Sequence, residues 1–360
     1  MKRIHIPGNC RLKIVIVSVS ALLLLMLSGC GKSGTEASPD PVSREEYLLD
    51  TICTVSVYGI EDESGETKDA AELSDKANSA IENAFDLCRA LEDKLSRTRK
   101  ESDISRINEA DGEWTEVSED TIELLKKGLK YSELSGGDFD ITVGGITEQW
   151  DFHAAEGEEK LPDEKALAEA AKHVGYGNLE IAGNRVRLSD RKAKIDLGGI
   201  AKGYIGDRMT ESLENAGVTS AIINLGGNVI CIGGKTDSDD FVIGVEAPFS
   251  DRSEIIGKVK SRDKTMVTSG VYERKLEIDG KIYHHILDTK SGMPVETELD
   301  AVTLIADKGH SADIDALSTI CLIKGADEGM KLIKEQKGVE AVFVKNDGEI
   351  LTTDGAGFEK

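Results

Sequence analysis

The chain has 360 residues, 39% hydrophobic but only 4% aromatic, enough apolar material for one large domain or two smaller ones. Its formal charge of −23 repels phosphate backbones, which excludes nucleic acid as a partner and favours solubility and attraction for metal cations.

The first element is a leader. Lys2, Arg3, Arg11 and Lys13 precede an apolar run from Ile14 to Leu27, closed by Ser28, Gly29 and Cys30. Basic, apolar and small-residue parts in that order make residues 1–29 a signal peptide, and the run is short for a membrane span. Leu27-Ser28-Gly29-Cys30 is similar to the bacterial lipobox, which implies lipidation of Cys30 and a lipid anchor on the extracytoplasmic face of the cell membrane. Acyl chains contribute about 0.8 kcal/mol per buried CH₂, so two or three of them anchor firmly. Residues 30–43, rich in Gly, Ser and Pro, read as a flexible tether, and the folded domain spans residues 44–360.

Within that domain Ile52–Tyr58 alternates like a half-buried strand. Leu73, Ala77, Ile81, Ala84, Cys88, Leu91 and Leu95 recur at spacings of three and four, which predicts a long amphipathic helix. Ser118 caps a second helix that ends at Gly136, and Pro162–His173 reads as a third. Strands at Leu179–Ile181 and Val186–Leu188 flank a Gly183-Asn184 turn. A helix through Leu213 stops at Gly217, and Ser220–Leu225 is an apolar strand broken by Gly226-Gly227. Leu276–Asp279 and Lys281–Ile286 form a hairpin around Asp279-Gly280. Helices at Ala312–Ile323 and Asp327–Lys334 precede a last hairpin turning at Asn346-Asp347-Gly348. Hairpins grouped with helices predict an α+β fold. Cys53, Cys88, Cys231 and Cys321 form no CxxC pair and read as free thiols rather than zinc ligands, the last three on apolar faces.

The most informative stretch is Asp196-Leu197-Gly198-Gly199-Ile200-Ala201-Lys202-Gly203-Tyr204. Glycines without Cβ admit a ligand to the backbone, and the following helix N-terminus favours phosphate. Asp196 has the wrong sign for phosphate unless it holds a metal, a hydroxyl or an amide. The stretch therefore reads either as a tight turn or as a site for a nucleotide with a divalent cation.

Four more segments carry chemistry: Gly136-Gly137-Asp138-Phe139-Asp140 through Gly144; Thr268-Ser269-Gly270; Tyr283-His284-His285 through Asp288, with Ser291 to Pro294; and Ala312-Asp313-Ile314-Asp315-Ala316-Leu317-Ser318-Thr319. Asp315, Ser318 and Thr319 share one helical face at spacings of three and four, fitting either a helix cap with packed hydroxyls or hard-oxygen metal ligands. In this order, from about Leu48 to the C-terminus, the segments resemble the ApbE family, the FAD:protein FMN transferases.

That resemblance implies an ApbE-like, T-fold-like domain with a nucleotide site in a central cleft. It implies a transferase that moves FMN from FAD, its substrate, to a Ser or Thr of an acceptor flavoprotein with release of AMP. It also implies Mg²⁺ held by Asp315, Ser318, Thr319 and the carbonyl of Gly199. Leu49, Asp138, Phe139, Asp140, Asp196, Lys202, Ser269 and Gly270 match its FAD-binding positions, with Thr268 and Asp288 beside them. Strand alternation lets one of two neighbouring histidines enter a site; the resemblance selects His285 as base and leaves His284 exposed. His153, His173 and His310 read as surface residues.

Two departures stand out. Leu49-Asp50-Thr51 replaces a common Met-Gly-Thr, and Leu95-Ser96-Arg97-Thr98-Arg99 lacks a Tyr that often stacks on adenine. Arg97 or Arg99 could stack instead. The expectation is a weaker grip on FAD, with water taking the place of the acceptor hydroxyl in part of the turnovers. An FAD pyrophosphatase and a non-catalytic flavin-binding lipoprotein are the alternatives.

Overall fold

The computed structural model describes residues 40–154, 157–235, 238–250 and 254–360, all within the compact unit Ser38–Lys360. The leader, Cys30 and the tether up to residue 39 lie outside the described residues.

The chain enters as a hairpin of β1 (Val42–Leu48) and β2 (Thr51–Glu61), followed by β3 (Thr67–Asp69). The two-residue turn between β1 and β2 puts Leu49 and Asp50 at φ 55° and 58°, where both central residues of a tight hairpin turn must be left-handed. α1 (Ser74–Leu95) buries Ala77, Ile81, Ala84, Cys88, Leu91 and Leu95 of the periodic set read from sequence, and Phe85 besides; Leu73, the first of that set, precedes the helix and is half-buried. Then come α2 (Asp103–Glu109), β4 (Thr115–Glu116) and α3 (Glu119–Ser135). The Ser118 hydroxyl accepts from Thr121 N at the start of α3, and left-handed Gly136 ends it.

α4 (Gly144–Thr147), α5 (Glu164–Ala171), β5 (Leu179–Ala182) and β6 (Arg185–Leu188) lead to α6 (Ala201–Asn215). The second half supplies most of the sheet: β7 (Val218–Leu225), β8 (Asn228–Ile232), β9 (Phe241–Glu246), β10 (Ile255–Ser261), β11 (Lys264–Gly270), β12 (Lys275–Ile278), β13 (Lys281–His284) and β14 (Leu299–Asp307). α7 (Ser311–Glu335), β15 (Glu340–Lys345), β16 (Ile350–Thr352) and β17 (Phe358–Glu359) finish the chain. α7 breaks at Gly325 (φ 78°, ψ −179°), so it comprises two helical halves, as the two predicted helices require.

A nine-stranded sheet runs β1-β2-β7-β8-β11-β14-β15-β16, with β3 added to β2, and all its pairs are antiparallel. The main core includes residues of α1, α3, α6, α7 and this sheet. A second cluster, with Val245, Val259, Met266 and Ile305, joins β9 and β10 to β11 and β14. Each fully buried Ile, Leu or Phe contributes about 1.5–3 kcal/mol, so the larger cluster dominates stability. The four cysteines described are free and buried, as their apolar surroundings predict.

α6 and α7 meet at their N-termini, and neither helix has a local side-chain cap. Each caps the other. Asp315 of α7 accepts from Gly203 N at 2.8 Å, while Asp207 of α6 accepts from Ser311 N at 2.9 Å and Ala312 N at 3.0 Å. The approach is so close that a Cβ on Gly203 would fall on the Ser311 carbonyl.

Candidate functional site

The α6–α7 junction gathers the oxygen groups singled out in the sequence. Asp315 is 3% exposed and keeps one carboxylate oxygen on Gly203 N. Burial pushes its pKa up, against the opposing pull of the Lys202 cation, the Gly203 amide and the side chain of Asn228. One helical turn on, Ser318 Oγ lies 2.7 Å from Ser269 Oγ, so β11 and α7 bring two hydroxyls together. Thr319 and Phe139 converge on Gly199: a Cβ built there would lie 3.6 Å from Thr319 Oγ1 and 2.9 Å from the Phe139 ring. Only glycine leaves that space open.

Among the described residues no group of three His, Cys, Asp or Glu side chains is placed to hold a metal. The donors here are one carboxylate, hydroxyls and a backbone carbonyl, a hard-oxygen set that suits Mg²⁺ and excludes a soft-metal site. Lys202, in the first turn of α6, makes no hydrogen bond or ion pair with any described residue, although its charge acts on both Asp315 and His285. A free cation at a helix N-terminus is unfavourable until an anion joins it.

His285 lies one residue past the end of β13. Its Nδ1 sits 3.2 Å from the Arg274 carbonyl, an acceptor, so the proton is on Nδ1 and Nε2 carries the free lone pair. Burial, then the Arg274 and Lys202 charges, hold its pKa down to about 3 despite the opposing carbonyl bond. The imidazole is therefore neutral at physiological pH. His284 corrects the sequence reading: it is buried rather than exposed, with Nε2 3.1 Å from the Val295 carbonyl. The hairpin end packs against Val295, which covers His284.

Asp196 is half-committed already. It accepts from Thr147 Oγ1 and Gly198 N, both at 2.8 Å, and pairs with Arg97 Nε at 2.8 Å. This separates the two candidate arginines, because Arg99 pairs instead with Glu92 and Asp93, away from Asp196.

The sequence model of the ApbE family matches residues 49–343. The chain belongs to the ApbE family. It is 31% identical to the FAD:protein FMN transferase of Treponema pallidum, covering 93% of this chain and 92% of that one. It is 34% identical to a FAD:protein FMN transferase of Klebsiella pneumoniae, over 74% and 82% of the two chains. Among solved structures, the ApbE protein of Thermotoga maritima superposes with a TM-score of 0.76 at 30% identity, covering 88% of this chain and 97% of that one. The apo flavinyl transferase ApbE of Pseudomonas stutzeri gives 0.70 at 27%, covering 87% and 94%. The antiparallel sheet with packed helices is the ApbE arrangement.

Other ApbE-matched positions in this chain are occupied by internal contacts. Asp140 is 5% exposed, and its carboxylate accepts from Thr142 N, Thr142 Oγ1 and Tyr176 N at 2.7–2.8 Å; it orders the loop that carries Phe139. Asp138 pairs with Lys324 at 3.0 Å and Lys290 at 3.5 Å, tying that loop to α7. Leu49 N donates to Glu92 at 3.2 Å, which sets the β1–β2 turn against α1. A Cβ on Gly270, at the end of β11, would strike the Tyr272 ring. Alternation separates Thr268 from Ser269: Thr268 pairs with Thr303 at 2.8 Å, while Ser269 meets Ser318. Asp288 ties its own loop through Lys290 N and Ser291 N. His173 is held by Asp190 and Glu169 rather than free on the surface, whereas His153 is exposed. Asp207 and Asn228 escaped the sequence reading, since their roles depend on residues distant in the chain.

Proposed function

We propose that the chain is an FAD:protein FMN transferase that uses Mg²⁺, moves FMN from FAD onto a Ser or Thr hydroxyl of an acceptor flavoprotein, and releases AMP. The observation that carries this reading is the convergence of Asp315, Ser318, Thr319 and Gly199 beside an unpaired Lys202 at a helix N-terminus. Asp315 and the two hydroxyls, with the Gly199 carbonyl, would hold the cation. Held there, Mg²⁺ would supply charge neutralisation to the pyrophosphate.

The protein's own groups do the rest. Lys202 and the α6 N-terminus bind phosphate oxygens. His285 Nε2 accepts the proton of the acceptor hydroxyl as its oxygen bonds to the FMN phosphorus and the bond to the AMP oxygen breaks. Arg97, fixed by Asp196, presents terminal amino groups without partners among the described residues at the rim.

The test is incubation of the chain with FAD and Mg²⁺, with and without a flavoprotein acceptor, following AMP release and in-gel flavin fluorescence. Acceptor fluorescence that EDTA or Asp315→Ala abolishes is the expected result. AMP and free FMN without labelling would make it a pyrophosphatase, and intact bound FAD a carrier. We place the enzyme on the extracytoplasmic face of the membrane through lipidated Cys30. Full-length Cys30→Ala should move from the membrane to the soluble fraction.

A further inference from the structure

Asn228 opens β8 immediately after the Gly226-Gly227 break and is wholly buried. Neither its amide nitrogen nor its amide oxygen has a hydrogen-bond partner among the described residues. Buried amides are nearly always satisfied, so an orphaned one needs a reason. A packing role alone would be served better by a leucine or valine, which leaves no polar atom stranded.

Its surroundings supply the reason. In the ladder Asn228 pairs with Val267 of β11, two residues before Ser269, whose hydroxyl meets Ser318. The side chain lies beside the Asp315 carboxylate without closing a hydrogen bond of normal geometry to it. Asp315 spends one oxygen, Oδ2, on Gly203 N. An asparagine amide offers donors on one side and an acceptor on the other, which a carboxylate and a metal-bound water require together.

We propose that Asn228 is a positioning residue for the divalent cation held by Asp315, Ser318 and Thr319. Its Nδ2 orients the Asp315 carboxylate, and its Oδ1 accepts from a water retained on the cation. Mg²⁺ keeps several of its waters in protein sites, and groups behind the first ligands typically govern affinity by 10–100-fold. The inference rests on the metal reading above, and its test separates the two.

The measurement is Mn²⁺ binding by electron paramagnetic resonance, with Mg²⁺ competition, on wild type, Asp315→Asn, Asn228→Leu and Asn228→Ala, together with melting of each metal-free chain. Asn228→Leu should bind Mn²⁺ about 10–100-fold more weakly, while its metal-free melting temperature holds or rises because no orphaned amide is left. Asn228→Ala, the smaller change, should weaken binding over the same range and serves if the leucine does not fold. Wild-type binding that Asp315→Asn loses but both Asn228 variants retain within twofold overturns this inference alone. A wild type that binds no Mn²⁺ overturns both the inference and the metal reading.

Discussion

At the residue scale, the Arg274 carbonyl decides what His285 can do. By accepting a hydrogen bond from Nδ1–H it leaves Nε2 as the basic atom, and burial beside two cations keeps that atom unprotonated. With a folded pKa near 3, well below an unfolded value of about 6.5, His285 stays neutral from pH 5 to 8. The transfer rate should therefore show no acid limb from this group in that range. A limb near pH 6.5 that disappears in His285→Gln would show the imidazole is not so held. His285→Gln should lower kcat by about 10²–10⁴-fold with little change in FAD affinity. The same shift has a stability consequence. The unfolded chain takes up a proton below about pH 6.5 and the folded chain does not, so stability declines as pH falls from there toward 3. A second residue-scale prediction concerns Thr98, whose hydroxyl lies 3.0 Å from that of Ser96. Thr98→Tyr restores an aromatic platform and should tighten FAD binding by about 0.5–1.5 kcal/mol in a fluorescence titration; an unchanged Kd would show that the missing ring is not what sets affinity.

At the element scale, the pairing of α6 with α7 organises the site. Two helices that lack local caps borrow carboxylates from each other, and the same contact delivers Asp315 beside Lys202. Gly203→Ala must push the helices apart, since its Cβ meets the Ser311 backbone rather than a movable side chain. It should cost about 3 kcal/mol in denaturant unfolding and weaken metal binding with it. Gly145→Ala in α4 is the control, because the nearest atom to its Cβ would be 3.8 Å away; equal losses from both would mean that the crossing is not tight. Elements with local signals were legible: α1 by its period, α3 by Ser118 and Gly136, and the β12–β13 and β15–β16 hairpins by their turns. β14 was not, because it is buried on both faces through most of its length and so shows no alternation. Nor was the order of the nine-stranded sheet, which joins strands distant in the chain. The site divides the same way. The glycine pair at 198–199 and the Asp315 face announce themselves within a few residues. The Asp207 cap and the orphaned Asn228 exist only once α6, α7 and β8 have met, and the Arg97–Asp196 pair only once the segment after α1 meets the turn before α6.

At the scale of the whole molecule, the site is embedded in the main core rather than perched on a loop. Phe139, Leu197, Ile200, Ile314 and Leu317 belong to the same cluster as the strands of the large sheet and the buried face of α1. A ligand that binds the α6–α7 junction therefore stabilises one cooperative unit, and its binding energy adds to global stability. At a metal concentration one hundred times its Kd the gain is about 2.7 kcal/mol. For a domain of this size each kcal/mol moves the midpoint by about 2–4 °C. Calorimetry should therefore show a single transition that rises by several degrees when Mg²⁺ is added with FAD, returns on EDTA, and does not move in Asp315→Asn. Two transitions, of which only one responds to the metal, would mean that the junction unfolds apart from the sheet. The reciprocal caps would then be a local clasp rather than part of what holds the fold together.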